Sequence, residues 1–212
     1  MAHLNRYRKG TMFIFSGPSG CGKSSIIKRV LSEVDNINLS VSVTTRAMRE
    51  GEQEGVDYYF IDEAKFKELV RKEALYEYVD SDFGPKYGTP KEAVNKWLDE
   101  GKDVILDLDY PGVLQLKACA ADRIKTISIL PPSLKILRER LINRKTDSME
   151  TIERRMSMAE KRVKESTFYD YIVVNDDLDT AVSEVKSIIL AARVETKNQY
   201  QWDEFVKKIV ED

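Results

Sequence analysis

One short stretch, Gly17-Pro18-Ser19-Gly20-Cys21-Gly22-Lys23-Ser24, constrains this chain more than any other, because it fits the spacing G-x-x-x-x-G-K-[ST]. Glycines let the backbone curl so that successive N–H groups face one phosphate. A helix that follows such a turn adds its positive dipole end. Lys23 then supplies a point charge to the β and γ phosphates, and the Ser24 hydroxyl is the expected Mg²⁺ ligand. The spacing could arise by chance in a Gly-rich turn, but its flanks argue against that. Met12-Phe13-Ile14-Phe15 ahead of it is the continuous apolar run of a strand buried on both faces. Behind it, Ile26, Ile27, Val30 and Leu31 recur at helical spacing across Ser25 to Val34. The triphosphate-binding set read from this unit is Gly17, Ser19, Gly20, Cys21, Gly22, Lys23, Ser24 and Ser25. Cys21 reads first as a small residue filling a variable position, with a redox or alkylation role as the alternative. The motif implies NTP binding and leaves the reaction open, since hydrolases, kinases and binding modules all use it.

The rest of the chain repeats the pattern. Val104–Leu108, Ile124–Leu130 and Tyr171–Val174 read as buried strands, each followed by a helical pattern: Val113–Ala121, Ser133–Arg144 with Ser133 as N-cap, and Leu178–Val194. This alternation predicts an α/β fold, a P-loop three-layer core with a parallel sheet between helices. Two segments break the rhythm. In the first, Leu39, Val41 and Val43 alternate with polar residues as one half-buried strand, and Thr45 to Val56 is a polar loop. Strands at Tyr58–Ile61 and Leu75–Val79 and a helix at Glu63–Lys72 follow, predicting an inserted small mixed α/β lobe. In the second, Glu150–Thr167 reads as a charged helix capped by Asp147 or Ser148, a helical lid. Its charges, Arg155 apart, read as a solvated face of i, i+4 pairs. Asn198–Val210 carries Tyr200, Trp202, Phe205 and Ile209 near helical spacing, an apolar face for its own domain or for a second copy in a homodimer.

Charge narrows the partners. Lys plus Arg is 34 and Asp plus Glu is 36, a balance that argues against nucleic acid as the main partner. Two cysteines, Cys21 and Cys119, make no disulfide framework and no metal cluster. The start lacks the apolar run of a secretory signal, and no stretch reaches the roughly 20 apolar residues of a membrane span. No membrane partner and a cytoplasmic location, or an organelle matrix, are therefore expected.

Ser40-Val41-Ser42-Val43-Thr44-Thr45-Arg46-Ala47-Met48-Arg49-Glu50-Gly51-Glu52 narrows the acceptor. Two arginines three apart in a Gly-bearing loop can fork onto one dianionic phosphate. By themselves two loop arginines are usually solvated surface charge. The stretch closely resembles the guanylate kinase signature S-x-S-x-T-T-R-x-x-R-x-G-E. The resemblance continues at Gly55-Val56-Asp57-Tyr58-Tyr59-Phe60, Tyr87-Gly88-Thr89, Ile105-Leu106-Asp107-Leu108-Asp109, Leu130-Pro131-Pro132-Ser133 and Ile172-Val173-Val174-Asn175-Asp176-Asp177, spanning Met12 to Val194 in order.

The resemblance implies a kinase that moves the γ-phosphoryl group of ATP to GMP, and to dGMP, with Mg²⁺ as cofactor. It implies one domain over 1–212. Its core is about 10–36, 91–142 and 169–195, with a GMP-binding lobe at about 37–90, a lid at about 143–168 and a C-terminal helix at about 198–211. It places Arg46, Arg49, Tyr58 and Tyr87 on the GMP phosphate, with Glu52 in the same set, and Ser42, Glu77 and Thr89 on the guanine ring. It places Asp107 and Asp109 near Mg²⁺ and the acceptor, Asp107 acting through water. Lys23, Arg140, Arg144 and Arg155 meet the transferring phosphate, Arg46 and Asp107 join the catalytic set, and Asn175 lies near the adenine. Guanine chemistry agrees, because one carboxylate such as Glu77 can accept from both N1–H and N2–H₂. Without the family, Glu77 reads as a polar residue on an edge strand. Departures exist: Pro111 stands where D-x-D-x-Q-G has Gln, Lys145 where Gly is common, and the Asp80–Lys86 loop is one residue longer than usual. A kinase for a ribose bisphosphate should lack the base-reading set, and a non-catalytic guanylate-kinase-like module should lack the intact Gly22-Lys23-Ser24.

Overall fold

The apolar run Met12-Phe13-Ile14-Phe15 needs cover on both faces, and at the centre of the main sheet it has it, with Met12–Ser16 buried at every position. The structure, a computed structural model, describes residues 8–80, 84–144 and 147–199, with 206, 207, 210 and 211 beyond them. In chain order the strands are β1 (Met12–Ser16), β2 (Ile37–Leu39), β3 (Ser42–Thr44), β4 (Tyr58–Phe60), β5 (Leu75–Val79), β6 (Tyr87–Pro90), β7 (Asp103–Asp107), β8 (Ile124–Leu130) and β9 (Tyr171–Val174). The α-helices are α1 (Lys23–Glu33), α2 (Glu63–Arg71), α3 (Lys91–Asp99), α4 (Tyr110–Ala120), α5 (Leu134–Asn143), α6 (Met149–Lys164) and α7 (Leu178–Arg193).

Five strands form one sheet in the order β2-β7-β1-β8-β9, and every pairing in it is parallel. On one face Phe13, Phe15, Ile105, Ile127 and Ile129 pack under α1 and α7. On the other, Met12, Ile14, Val104 and Leu106 pack under Val94 and Leu98 of α3 and Val113 and Leu116 of α4. Successive β1 residues thus enter opposite cores, as the pleat requires. The expected three-layer α/β fold is what forms.

A second sheet, β4-β3-β6-β5, is mixed: β3 and β4 are parallel, whereas β6 runs antiparallel to β3 and β5. Phe66 of α2, Val43 and Leu75 make its small core. The alternation from Leu39 to Thr44 is not one strand. Ile37–Leu39 pairs with β7 in the main sheet, and Ser42–Thr44 pairs with β4 and β6 in the second. Period-two polarity records which way side chains point and says nothing about a change of sheet. Helix α3 lacked a sequence signal, since only Val94 and Leu98 within it are buried.

Helix starts follow local chemistry. Ser133 Oγ accepts from Ile136 N at 3.1 Å, capping α5. Of the two candidates for α6, Ser148 caps it, accepting from Thr151 N at 3.3 Å. Helix α6 ends at Lys164, short of Thr167, in a 3₁₀ turn over Glu165–Phe168. Thr196–Asn198 is also a 3₁₀ turn. Tyr200, Trp202, Phe205 and Ile209 of the expected terminal helix lie outside the described residues, as do Lys145 and positions 81–83 of the Asp80–Lys86 loop. Among the described residues no helix is long and apolar enough to cross a membrane.

The sheet end opposite the Gly-rich turn is tied by a buried carboxylate. Asp103 accepts from Arg8 Nη1 at 2.7 Å, Arg8 Nη2 at 3.1 Å, Thr11 N at 2.9 Å and Arg193 Nε at 2.7 Å. Asp103 and Arg8 are almost wholly buried. Asp103→Ala takes the shared partner from two guanidinium groups and is expected to cost about 3–5 kcal/mol of stability. Urea melts check it, and an unchanged midpoint would mean that the network contributes nothing net.

Candidate active site

The turn after β1 is shaped by what cannot fit there. A Cβ on Gly17 would lie 2.1 Å from the Ile129 carbonyl oxygen. A Cβ on Gly22 would lie 2.1 Å from Asn175 Nδ2, at a φ of 97° that side chains rarely adopt. Gly22 is also the N-cap of α1, and no side chain caps that end. The first N–H groups of α1 are therefore left for an anion. Lys23 Nζ donates to the Gly17 carbonyl at 3.0 Å and lies 3.8 Å from Asp107 Oδ1. Parallel pairing of β1 with β7 sets Phe15 opposite Asp107, so both groups stand at the carboxyl ends of the strands.

Two cavities reach Asp107, and a third opens beside the turn. One of about 440 Å³ is lined by Gly20, Gly22, Ser25, Arg140, Arg144 and Asn175, together with Asn143, Asp176 and Leu178. Another of about 500 Å³ includes Ser24 and Asp107 in its wall. A third of about 180 Å³ holds Ser42, Tyr58, Thr89 and Asp107, with Ser40 and Asp57 beside them. Asp107 is common to the last two. Its carboxylate is 42% exposed at the cleft surface yet has protein on most sides. That desolvation raises its pKa above the ordinary value, the Lys23 charge works against the rise, and Asp109 adds to it.

Asn175 does more than line a wall. Its Nδ2 donates to the Cys21 carbonyl at 2.7 Å, and its own backbone carbonyl accepts from Arg140 Nη2 at 3.0 Å. One residue after β9 thus braces the phosphate loop and holds an arginine from α5 beside it. Cys21, within that loop, is fully buried, and burial pushes its thiol pKa up. A packing residue, not a reactive one, is the reading this supports.

The second sheet presents the other set. Arg46 forks onto Glu52 through Nη1–Oε2 at 2.9 Å and Nη2–Oε1 at 2.8 Å. Glu52 Oε2 also accepts from the Arg49 backbone N at 2.8 Å. This pairing draws the Glu52 pKa down to about 2 and raises that of Arg46. The guanidinium lies 5.4 Å from the Tyr58 ring centre and 5.7 Å from that of Phe60, and Tyr87 meets Tyr58 edge-on at 5.9 Å. The Arg49 side chain is exposed on the same loop. Glu77 is 5% exposed and accepts from Thr89 Oγ1 at 2.7 Å. Burial raises its pKa, the Thr89 bond opposes this, and Asp109 adds to the rise.

The structure therefore brings the loop residues, Arg140, Arg144 and Asn175 together, and separately Arg46 with Glu52, Tyr58 and Tyr87. Arg155 stands elsewhere, on α6, paired with Asp147 at 2.6 Å. Sequence alone assigned no role to Asn143 or Asp176, although Asp176 directly follows Asn175 in a segment that carries the family pattern.

The guanylate kinase family profile matches residues 9–192. The chain belongs to the guanylate kinase family. Guanylate kinase of Zymomonas mobilis is 42% identical over 209 residues, covering 99% of this chain and 96% of the relative. That of Novosphingobium aromaticivorans is 43% identical over 204 residues, covering 96% and 92%. The crystal structure of guanylate kinase from Anaplasma phagocytophilum superposes with a TM-score of 0.76 at 30% identity, covering 94% of this chain and 95% of that one. Guanylate kinases are nucleoside monophosphate kinases, and this family member carries an intact phosphate loop.

Proposed function

We propose that the chain transfers the γ-phosphoryl group of ATP to GMP, and to dGMP, giving ADP together with GDP or dGDP. The observation that carries it is the position of Asp107. It lies 3.8 Å from Lys23 on the donor side and lines the cavity of Ser42, Tyr58 and Thr89 on the acceptor side. Donor and acceptor sites that share a wall suit in-line transfer without a covalent enzyme intermediate.

In this reading the 440 Å³ cavity takes the nucleoside end of ATP. The α1 N-terminus and Lys23 hold its phosphates, and Arg140 and Arg144 spread positive charge over the transferring group. Arg46, Arg49, Tyr58 and Tyr87 hold the GMP phosphate. Glu77 accepts from guanine N1–H and N2–H₂, beside Ser42 and Thr89. The acceptor phosphate is already largely ionised, so no strong general base is required. Closure of the α5–α6 arm would carry Arg155 inward, exchanging Asp147 for phosphate oxygens and excluding water.

The Ser24 hydroxyl and the Asp107 carboxylate wall one cavity, a hard-oxygen pair that fits Mg²⁺. Ser24 would hold the ion directly and Asp107 through water, and the ion when bound neutralises charge on the β and γ phosphates.

The test is ADP release with Mg·ATP against GMP, dGMP, AMP, CMP, UMP and ribose 1,5-bisphosphate. Fast turnover with GMP and near-background rates with AMP are expected. Turnover with ribose bisphosphate alone would move the assignment to a sugar-phosphate kinase, and silence with every acceptor from folded, ATP-binding protein would leave a binding module. The Arg46–Glu52 fork adds a narrower expectation. Glu52→Gln unties a guanidinium that is pre-aimed at the acceptor phosphate, so KM for GMP should rise about ten-fold. An unchanged KM in steady-state kinetics would show that Arg46 needs no such support.

A further inference from the structure

Glu77 occupies an exposed kind of position in the topology. Its strand, β5, is the edge of the second sheet and pairs only with β6 within it. The register of that pairing shifts between Leu75 and Tyr78, so the ladder is irregular where Glu77 sits. An irregular edge strand is a poor platform for a group that must select one base, because register there is weakly specified.

The main domain supplies what the second sheet lacks. Gln115, on α4, donates from Nε2 to the Tyr78 carbonyl at 2.9 Å, and its Oε1 accepts from the Tyr78 N at 3.1 Å. One side-chain amide thus does the work of a neighbouring strand for the residue after Glu77. One turn earlier on α4 stands Gly112, fully buried. A Cβ there would lie 2.9 Å from Glu77 Oε2, 3.3 Å from Cδ and 3.5 Å from Cγ. The carboxylate is therefore seated between the Thr89 hydroxyl on β6 and the bare backbone of α4.

We propose that Gly112 and Gln115 are positioning residues for guanine selection: Gln115 pins β5 against α4, and Gly112 leaves the space that the Glu77 carboxylate occupies in its reading position. The proposal rests on Glu77 being the guanine acceptor. It places the specificity of the second sheet partly in a helix of the main domain, at residues that touch no substrate themselves.

The two substitutions separate seating from stability. Gly112→Ala collides only with the free end of a flexible side chain, and alanine suits a helix better than glycine. Its thermal midpoint should equal or exceed that of the parent. Its KM for GMP should rise about ten-fold while KM for ATP stays within about two-fold, since binding of one substrate alone is disturbed. Gln115→Met keeps the bulk, loses both hydrogen bonds, and should raise KM for GMP about five-fold. Preference for GMP over IMP, which lacks the 2-amino group, should shrink in both variants. The parent is assayed alongside with GMP. A parent that does not turn over GMP overturns the functional reading and this inference together. An active parent with Gly112→Ala matching it in KM for GMP and in GMP-over-IMP preference overturns the inference alone, as does a loss in which KM for ATP rises equally.

Discussion

Lys23→Met is expected to leave a folded protein whose kcat is about 10³-fold lower, the scale on which removal of one preorganised transition-state charge acts. Lys23 sits at the first position of α1, donates to Gly17 O at 3.0 Å and faces Asp107 at 3.8 Å. Its charge thus sits beside the carboxylate that walls two of the cavities. The turn itself is held by other means, namely the Asn175 amide on Cys21 O and the close packing over Gly17 and Gly22. ATP should therefore still bind, more weakly, and circular dichroism should match the parent. Single-turnover rates with saturating ATP and GMP are the measurement. A loss below about ten-fold would mean that Mg²⁺ and the arginines carry the transition-state charge without Lys23.

Glu77→Gln should reduce kcat/KM for GMP by about 10³–10⁴-fold, because a site built to pair buried polar groups penalises a mismatch steeply. The amide places a donor where a donor must be received. Its effect on the free protein has the opposite sign. Burial raises the Glu77 pKa above the ordinary 4.5, so the folded state favours the protonated acid. The stability this group contributes is complete below 4.5 and is lost as pH rises through the raised folded value. At neutral pH the desolvated Glu77 carboxyl is a burden on the ligand-free fold, and Glu77→Gln should be more stable there than the parent. The difference should close as the pH is brought below 4.5. GMP affinity in the parent should weaken on acidification sooner than for an ordinary carboxylate. Melting curves and GMP titrations across pH test both signs. A variant less stable than the parent at neutral pH would show that the Thr89 hydrogen bond outweighs desolvation.

The trade-off has a structural origin. Thr89 donates to one Glu77 oxygen, and the other lies toward the bare backbone at Gly112. A carboxylate kept partly desolvated costs stability in the free protein, and under the proposed function a guanine that donates to it would offset that cost.

Much of this was legible in the chain itself. The limits of β8 and β9 coincide with the runs Ile124–Leu130 and Tyr171–Val174, because both are rich in the β-branched residues that pack well on a pleated surface. Ser133 declared the start of α5, since capping needs only an oxygen three residues from an N–H. The phosphate loop was complete in eight consecutive residues, its chemistry being local backbone curvature. What contacts across long sequence separation decide could not be read this way. The passage of the chain from one sheet to the other between Leu39 and Ser42 leaves period-two polarity intact. Asn175 on Cys21, Arg46 against its own loop carboxylate, and Gln115 on Tyr78 are choices among many equally polar partners. Local pattern reports which side of an element is buried. The crossovers of the parallel sheet decide which buried side meets which.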